Sequence, residues 1–387
     1  MWNTGLFKLV SIPVLILSIF YFIRKNNLKR NELYLVLFFA ASIFLLNFSS
    51  NGLVLFANTS LFLVFSFLLI SYRAKIRVYD VFYKLFTLSL IPGLVIFVLS
   101  FFGFDLPWER LESTNDSKTA LGLFYRNYLG SVVLNNQIFS TGMGEIHRFS
   151  AVYDEPGVVG TVAALLLASN RFKLDTISSK IILISGVISF SLAFYVLTGV
   201  YIFLKRPVLL IKVLMPVLIL VFIFYGELKE NSLISHYLFD RIEQGFDDPK
   251  SVDNRVSTCF KNEFDGYIKS GNFFIGNGAG AHSDTGCNVS SYLSIIYNHG
   301  FLGFSLIIIF YTLLYLILSP NLKLLYMFPF ILVFALSLYQ RPAFFSTWMI
   351  VIFAAAVLNE NRVNNMLLDS KIRKRAIGRS VDTPGTV

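Results

Sequence analysis

The sequence predicts an all-α, polytopic integral membrane protein of about 10–11 transmembrane helices, with two long extracytoplasmic loops. Three observations predict it. Of 387 residues, 55% are hydrophobic and only 14% are charged, and the mean hydropathy is +0.66. Soluble domains carry roughly 25% charged residues, so a globule of this size has nowhere but lipid to face this much apolar surface. The apolar residues also fall into ten runs of spanning or near-spanning length, and the basic residues cluster between them. Disordered, collagen-like and disulfide-dense classes are excluded by the same arithmetic.

The runs cover about 5–23, 32–50, 52–71, 81–102, 156–170, 181–204, 207–225, 290–318, 322–339 and 342–358. Helices are expected, because lipid offers no partner to an open strand edge. The first run lacks a small-residue cleavage site and reads as an anchor. Lys and Arg mark the cytoplasmic side of short loops. Arg24, Lys25, Lys29 and Arg30 follow the first run; Arg73, Lys75 and Arg77 follow the third; Arg171, Lys173 and Lys180 follow the fifth. With Lys205, Arg206, Lys323 and the tail, this assigns 19 basic and 6 acidic residues to the inside. The long loops, 103–154 and 226–289, carry 10 basic and, counting Glu155 at the edge of the first, 17 acidic residues. The formal charge of +10 is thereby explained by topology, and nucleic acid is not an expected partner. Residues 1–358 form one membrane domain, and 359–387 a basic cytoplasmic tail.

Segment 181–204 breaks the pattern, with Lys180 before it and Lys205 and Arg206 after it. Both ends read as cytoplasmic, so two short helices bent near Ser189 and Ser191 are expected instead of one crossing. Cys259 and Cys287 are the only cysteines, and both fall in the second long loop. In an oxidising compartment a bridge would close a 29-residue stretch and contribute about 3–4 kcal/mol by chain entropy; two unpaired thiols are the alternative. Four histidines, with no CxxC and no HExxH spacing, give no metal motif.

Chemistry is expected in the long loops. The first ends in a run from Arg148 to Asp154, with Glu155, Pro156 and Gly157 opening the next helix. Asp154 and Glu155 fit a helix N-terminus as caps. Arg148 fits either an ion pair with Glu155 or a phosphate, which its planar fork binds well. The second loop carries Arg241, Arg255, His282 and Asp284, and a glycine-rich turn over Gly276, Asn277, Gly278, Ala279 and Gly280. No Gly-Lys-Ser/Thr follows that turn, so it is not a P-loop. It is either a flexible connection or a backbone that offers amide groups to an anion. Asn298 and His299 then interrupt an apolar run, Gly300 and Gly303 permit close helix packing, and Arg341 stands between the last two runs.

At these residues the chain resembles the O-antigen polymerase and ligase superfamily of bacterial surface polysaccharide assembly. The resemblance rests on three features in order: Arg148 with Glu155-Pro156-Gly157 at the mouth of a middle span, the polar interruption Ser189-Phe190-Ser191, and the turn 276–280 leading to Ser291-Tyr292-Leu293 and a helix with Gly300 and Gly303. Members often carry a His-Asn pair before the third feature. Here Asn288-Val289-Ser290 stands there, which makes His282 the candidate and His299 the reserve. The resemblance implies cofactor-free, metal-independent glycosyl transfer from undecaprenyl pyrophosphate on the outer face of a bacterial inner membrane. The polymerase form is preferred over the ligase, on the Glu155-Pro156-Gly157 form and the 16% aromatic content. A lipid-linked oligosaccharide, membrane lipid, a chain-length regulator and a flippase are the implied partners. The chemistry then needs arginines for the pyrophosphate (Arg148, Arg241, Arg255) and a base for the acceptor hydroxyl (His282 or Glu155). Asp284, His299 and Arg341 complete the expected substrate-binding set. No Asp-x-Asp suggests a nucleotide-sugar enzyme. A transporter or flippase shares the composition, but no internal repeat is visible.

Overall fold

The computed structural model describes residues 13–20, 30–46, 59–113, 119, 122–140, 145–208, 211, 255–320 and 322–381. Most of the runs expected at 207–225 and 5–23, and the loop from 226 as far as residue 254 with Arg241, lie outside the described residues. The protein is mostly helical, and among the described residues two helices are long and apolar enough to cross a membrane, Tyr72–Phe101 and Leu293–Leu318. Four shorter apolar helices accompany them.

Helices α1 (Arg30–Leu46) and α2 (Thr59–Leu69) precede α3 (Tyr72–Phe101). The last starts nine residues before the run expected at 81, because the basic cluster is itself helical. Lys75 is buried there, and its ammonium donates to the carbonyls of Leu68 (3.0 Å) and Ile70. It thereby serves the open carbonyl end of α2, where a cation also suits the helix dipole.

The expectation of an all-α chain is corrected in the first long loop. It folds into strands β1 (Glu109–Glu112), β2 (Phe124–Tyr128), β3 (Ser131–Leu134), β4 (Ile138–Ser140) and β5 (Glu145–His147). The first three form an antiparallel sheet and the last two a second, smaller one. Aromatic and β-branched residues favour extended backbone here. Leu129 and Gly130 make a two-residue connection between β2 and β3, with Gly130 at φ 88°. Tyr128 and Val133 pack on Ile96 of α3. A little along that helix, a Cβ on Gly93 would sit 2.8 Å from the Ala151 Cα, so the loop lies directly on α3.

Next comes α4 (Pro156–Ser169), fourteen residues of which twelve are buried. At 1.5 Å per residue it is about 21 Å long, too short to cross a bilayer core alone. A helix apolar on every side belongs in an interior, and α4 is the hub of this one. Around it pack α5 (Ile177–Ile188), α6 (Leu192–Lys205), α10 (Leu324–Gln340) and α11 (Thr347–Val381). The second loop contributes α7 (Thr258–Lys269) and the one-turn α8 (Ala281–Asp284) before α9 (Leu293–Leu318). Helix α11 runs through the boundary expected at 358, so the start of the tail continues the last helix.

The segment 181–204 is two helices, broken at Ser189–Ser191 as its flanking charges suggest. Helix α5 starts close behind the end of α4, and its last carbonyl, Ile188, accepts the amide of Phe149 at 3.2 Å. Helix α6 starts against α4, where a Cβ on Gly160 would lie 2.5 Å from that of Ser191. It ends beside the tail of α4, with Tyr201 stacked on Phe172 (5.4 Å) and Lys205 sharing Glu360 with Arg171 (3.0 and 3.5 Å). The pair is therefore a hairpin with its apex toward the long loops. The basic residues Arg171 and Lys205 gather at the opposite end.

Candidate functional site

Two places bring the sequence-derived candidates together, and each is built on a helix break. The first is the hairpin apex. Phe190 holds a left-handed φ of 46°, unfavourable by roughly 1–2 kcal/mol for a residue with a Cβ. The break leaves carbonyls without a helical partner. The Arg148 guanidinium donates to two of them, from Nε to Ser189 O (3.4 Å) and from Nη2 to Phe190 O (3.0 Å). Arg148 is thus a brace between the first loop and the hairpin, a task its sequence position did not disclose.

One turn above Gly160, about 4.5 Å along α4, is Gly157. Around it stand Glu155, Arg255 and Arg341. A Cβ on Gly157 would meet Arg341 Nη2 at 3.1 Å and Arg255 Nη2 at 4.0 Å. Arg341 Nη2 donates to Glu155 Oε2 at 2.7 Å. Glu155 is the residue before the helix, yet its carboxylate makes no capping bond to α4. The cap expected of it is replaced by an ion pair across 186 residues of sequence. Arg341 keeps one buried donor, Nε, without a hydrogen-bond partner. Two guanidinium groups and one carboxylate at a helix N-terminus leave a net positive, anion-favouring mouth.

Arg255 reaches this mouth because the second long loop is pinned beside it. Cys259 and Cys287 form a disulfide, as one of the two readings of the sequence expects. Next to the bridge, Val256 pairs with Val289, Ser257 N donates to Asn288 O (3.0 Å) and Ser290 N to Arg255 O (2.7 Å). Phe260 and Tyr267 of α7 pack on Tyr297 of α9. The backbone that carries Arg255 is therefore held on both sides.

The second break lies inside α9, where Gly300 takes φ 65° and ψ −175°. The glycine turn closes on it. Asn277 N donates to Tyr297 O (3.0 Å) and Gly278 N to Asn298 O (2.8 Å). Tyr267 Oη donates to Ile296 O (2.8 Å). A Cβ on Gly276 or Gly300 would collide with the facing backbone, which is the reason for glycine at both. The turn's amides at 277 and 278 are thus spent on the helix, and the expectation that they serve an anion is corrected. His282 also belongs here. Its amide donates to Asn298 Oδ1 (2.9 Å), and Asn298 Nδ2 lies 2.8 Å from His282 Nδ1. With Nδ2 donating, that hydrogen-bond network assigns the imidazole proton to Nε2, which faces Ser283 Oγ at 3.5 Å.

His282 is therefore engaged with Asn298 and not with the arginine pair. Asp284 is exposed at the end of α8 and makes no hydrogen bond among the described residues. His299 packs against Gly303 and Leu46 instead of lining the mouth. Among the described residues no three His, Cys, Asp or Glu side chains gather as a metal site. Sequence reasoning could call for a groove between helices but not locate one; a groove of about 600 Å³, lined by aromatic and aliphatic residues, lies between α9, α10 and α11. Its upper lining includes Tyr292, Tyr339 and Phe344, close in sequence to Ser291 and Arg341.

Compared with known proteins, the chain matches no family model, no curated protein and no solved structure.

Proposed function

We propose that this chain is a polytopic enzyme of the bacterial inner membrane that polymerises lipid-linked oligosaccharide repeat units on the outer face. It would transfer the growing glycan from undecaprenyl pyrophosphate to a new lipid-linked unit. The observation that carries this is the convergence of Glu155, Arg255 and Arg341 on the mouth of α4. A pyrophosphate leaving group develops negative charge, and guanidinium forks are suited to bind it. Glu155, beside the arginines that would hold the pyrophosphate, is in this reading the group that accepts the acceptor hydroxyl's proton. The adjoining apolar groove offers the polyprenyl tail a place outside water. Arg148 acts as a positioning residue, since its donors hold the hairpin apex. His282, engaged with Asn298, is the less suited of the two candidate bases.

The test is deletion of the gene in its host, complementation with Arg255→Ala or Arg341→Ala, and electrophoresis of the surface polysaccharide. The expected outcome is loss of the long-chain ladder, leaving lipid A-core with a single repeat unit, while each variant stays in the membrane. Loss of one charged donor to a leaving group costs roughly 10²–10³ in rate. Polymer that remains on its lipid carrier would point to the ligase. An unchanged ladder from the deletion or from both variants would overturn the assignment and return the transporter to consideration.

A further inference from the structure

A second cavity lies away from the arginine pair, between the end of α3 and the small sheet of the first long loop. Its volume is about 210 Å³, the scale of one six-membered ring with its hydroxyls. Ser100, Asp105, Trp108, Arg126, Tyr128 and Glu145 line it. Extending the β1–β2 register by one pair sets Trp108 opposite Tyr128, with Arg110 and Arg126 paired beside them on the same face. Trp108 stacks on Phe124 (6.3 Å, 22° between planes), and the Arg126 guanidinium lies 5.0 Å from its ring centre. The indole is thereby fixed in orientation, yet Trp108 stays 41% exposed.

Arg126 Nη1 pairs with Glu145 Oε2 at 2.9 Å, but its Nε is buried and has no hydrogen-bond partner. A buried donor without a partner is unfavourable, and a ligand oxygen would relieve it. Asp105 makes no hydrogen bond among the described residues, and its two oxygens are acceptors. The lining thus combines an aromatic plate, free acceptors, a donor lacking a partner and two hydroxyls. Two carboxylates against one guanidinium make it net negative, unlike the mouth of α4.

We infer that this cavity is a binding subsite for a neutral pyranose. A sugar ring presents one face of C–H groups, which packs on an aromatic plane. Its hydroxyls both donate and accept, matching Asp105, Glu145 and the Arg126 Nε. The negative balance disfavours uronic acids and phosphates. The sheet is tied to the segment that carries Arg148 and Glu155 through Val132 N donating to Ala151 O (2.7 Å). The subsite therefore lies on the same side of the protein as the proposed reaction. It deepens that reading by naming a neutral sugar, but binding is measured without turnover, so either can fail alone.

The experiment is saturation-transfer NMR on the full chain, in a detergent without a sugar headgroup. The probes are the methyl glycosides of glucose, galactose and N-acetylglucosamine, with methyl glucuronide as the anionic comparison. Transfer to at least one neutral glycoside is expected, strongest at the ring protons of one face. Trp108→Ala should weaken binding roughly tenfold and Trp108→Phe much less; Asp105→Ala, at an exposed position that leaves packing intact, should weaken it roughly fivefold. Equal transfer to the wild type and to Asp105→Ala or Trp108→Ala would overturn the inference. So would no transfer to any neutral probe, or stronger transfer to the glucuronide.

Discussion

The two helix breaks pose the same physical problem and solve it differently. At the hairpin apex the carbonyls of Ile188, Ser189 and Phe190 lack helical partners; in α9 those of Ile296, Tyr297 and Asn298 do. Irregular backbone at membrane depth survives only where protein or an aqueous cavity satisfies it. At the apex one guanidinium does most of that, from a loop that also leads to Glu155. In α9 the donors are two backbone amides and a tyrosine hydroxyl, brought close by glycines. A backbone donor is pinned by its turn. A guanidinium sits on a flexible stem and can share its five donors with an arriving anion. The apex is thus the adjustable break and α9 the fixed one.

The sharpest way to break this comparison is Gly300→Ala. The new Cβ would need a left-handed φ and would meet the Phe274 carbonyl. Left-handed strain costs about 1–2 kcal/mol and overpacking against backbone about 1–3 more. A loss of about 3 kcal/mol is expected in thermal unfolding of the purified protein, with no rescue by other small residues. A change below about 0.5 kcal/mol would mean that the break is not held closed by the turn.

Arg148→Ala comes next. It leaves two partly buried carbonyls without a charged donor, with an expected cost of about 2 kcal/mol. The Lys variant should recover only part of this, because an ammonium cannot copy the fork that reaches two carbonyls at once. Hydrogen exchange read at 188–191 checks both. Equal protection in wild type, Ala and Lys variants would show that the guanidinium does not hold the apex.

How much of this was legible beforehand follows from where each signal resides. The hairpin could be read because Lys180, Lys205 and Arg206 put both ends on one side. The α9 break was not read: Asn298 and His299 visibly interrupt an apolar run, but Gly300 reads equally as a packing residue, and only its backbone angles show the break. The bridge between Cys259 and Cys287 followed from two cysteines sharing one loop. By contrast, the strands of the first loop are three to five residues long, too short for alternation to declare itself. Only the aromatic residues before Leu129-Gly130 and the valines after it hinted at a hairpin. The pair of Glu155 and Arg341 is separated by 186 positions and leaves no local trace. The two readings of the glycine turn stayed open for a related reason: composition shows that amides are accessible, but not which carbonyl claims them.

The smallest expected effect concerns what stands behind the adjustable break. His147 is the last residue of β5, directly before Arg148, and is 2% exposed. Its Nε2 has no hydrogen-bond partner, and its ring meets Phe97 edge to face at 5.2 Å. Burial, and secondarily the nearby Arg126 charge, push its pKa down to about 4. An ordinary histidine titrates near 6.5, so between these values the unfolded chain binds the extra proton and the folded one does not. Stability from this residue is complete above about 6.5 and is lost as pH falls from there toward 4. Between pH 7.5 and 5.5 the loss is on the order of 1 kcal/mol. The amide of Phe149, bonded to Ile188 O, should lose protection by that amount once intrinsic exchange is corrected for. In His147→Asn, which cannot take up the proton, the same amide should keep its pH 7.5 protection at pH 5.5. A wild-type amide indifferent to pH would detach the apex from its supporting strand, and the adjustable break would then depend on Arg148 alone.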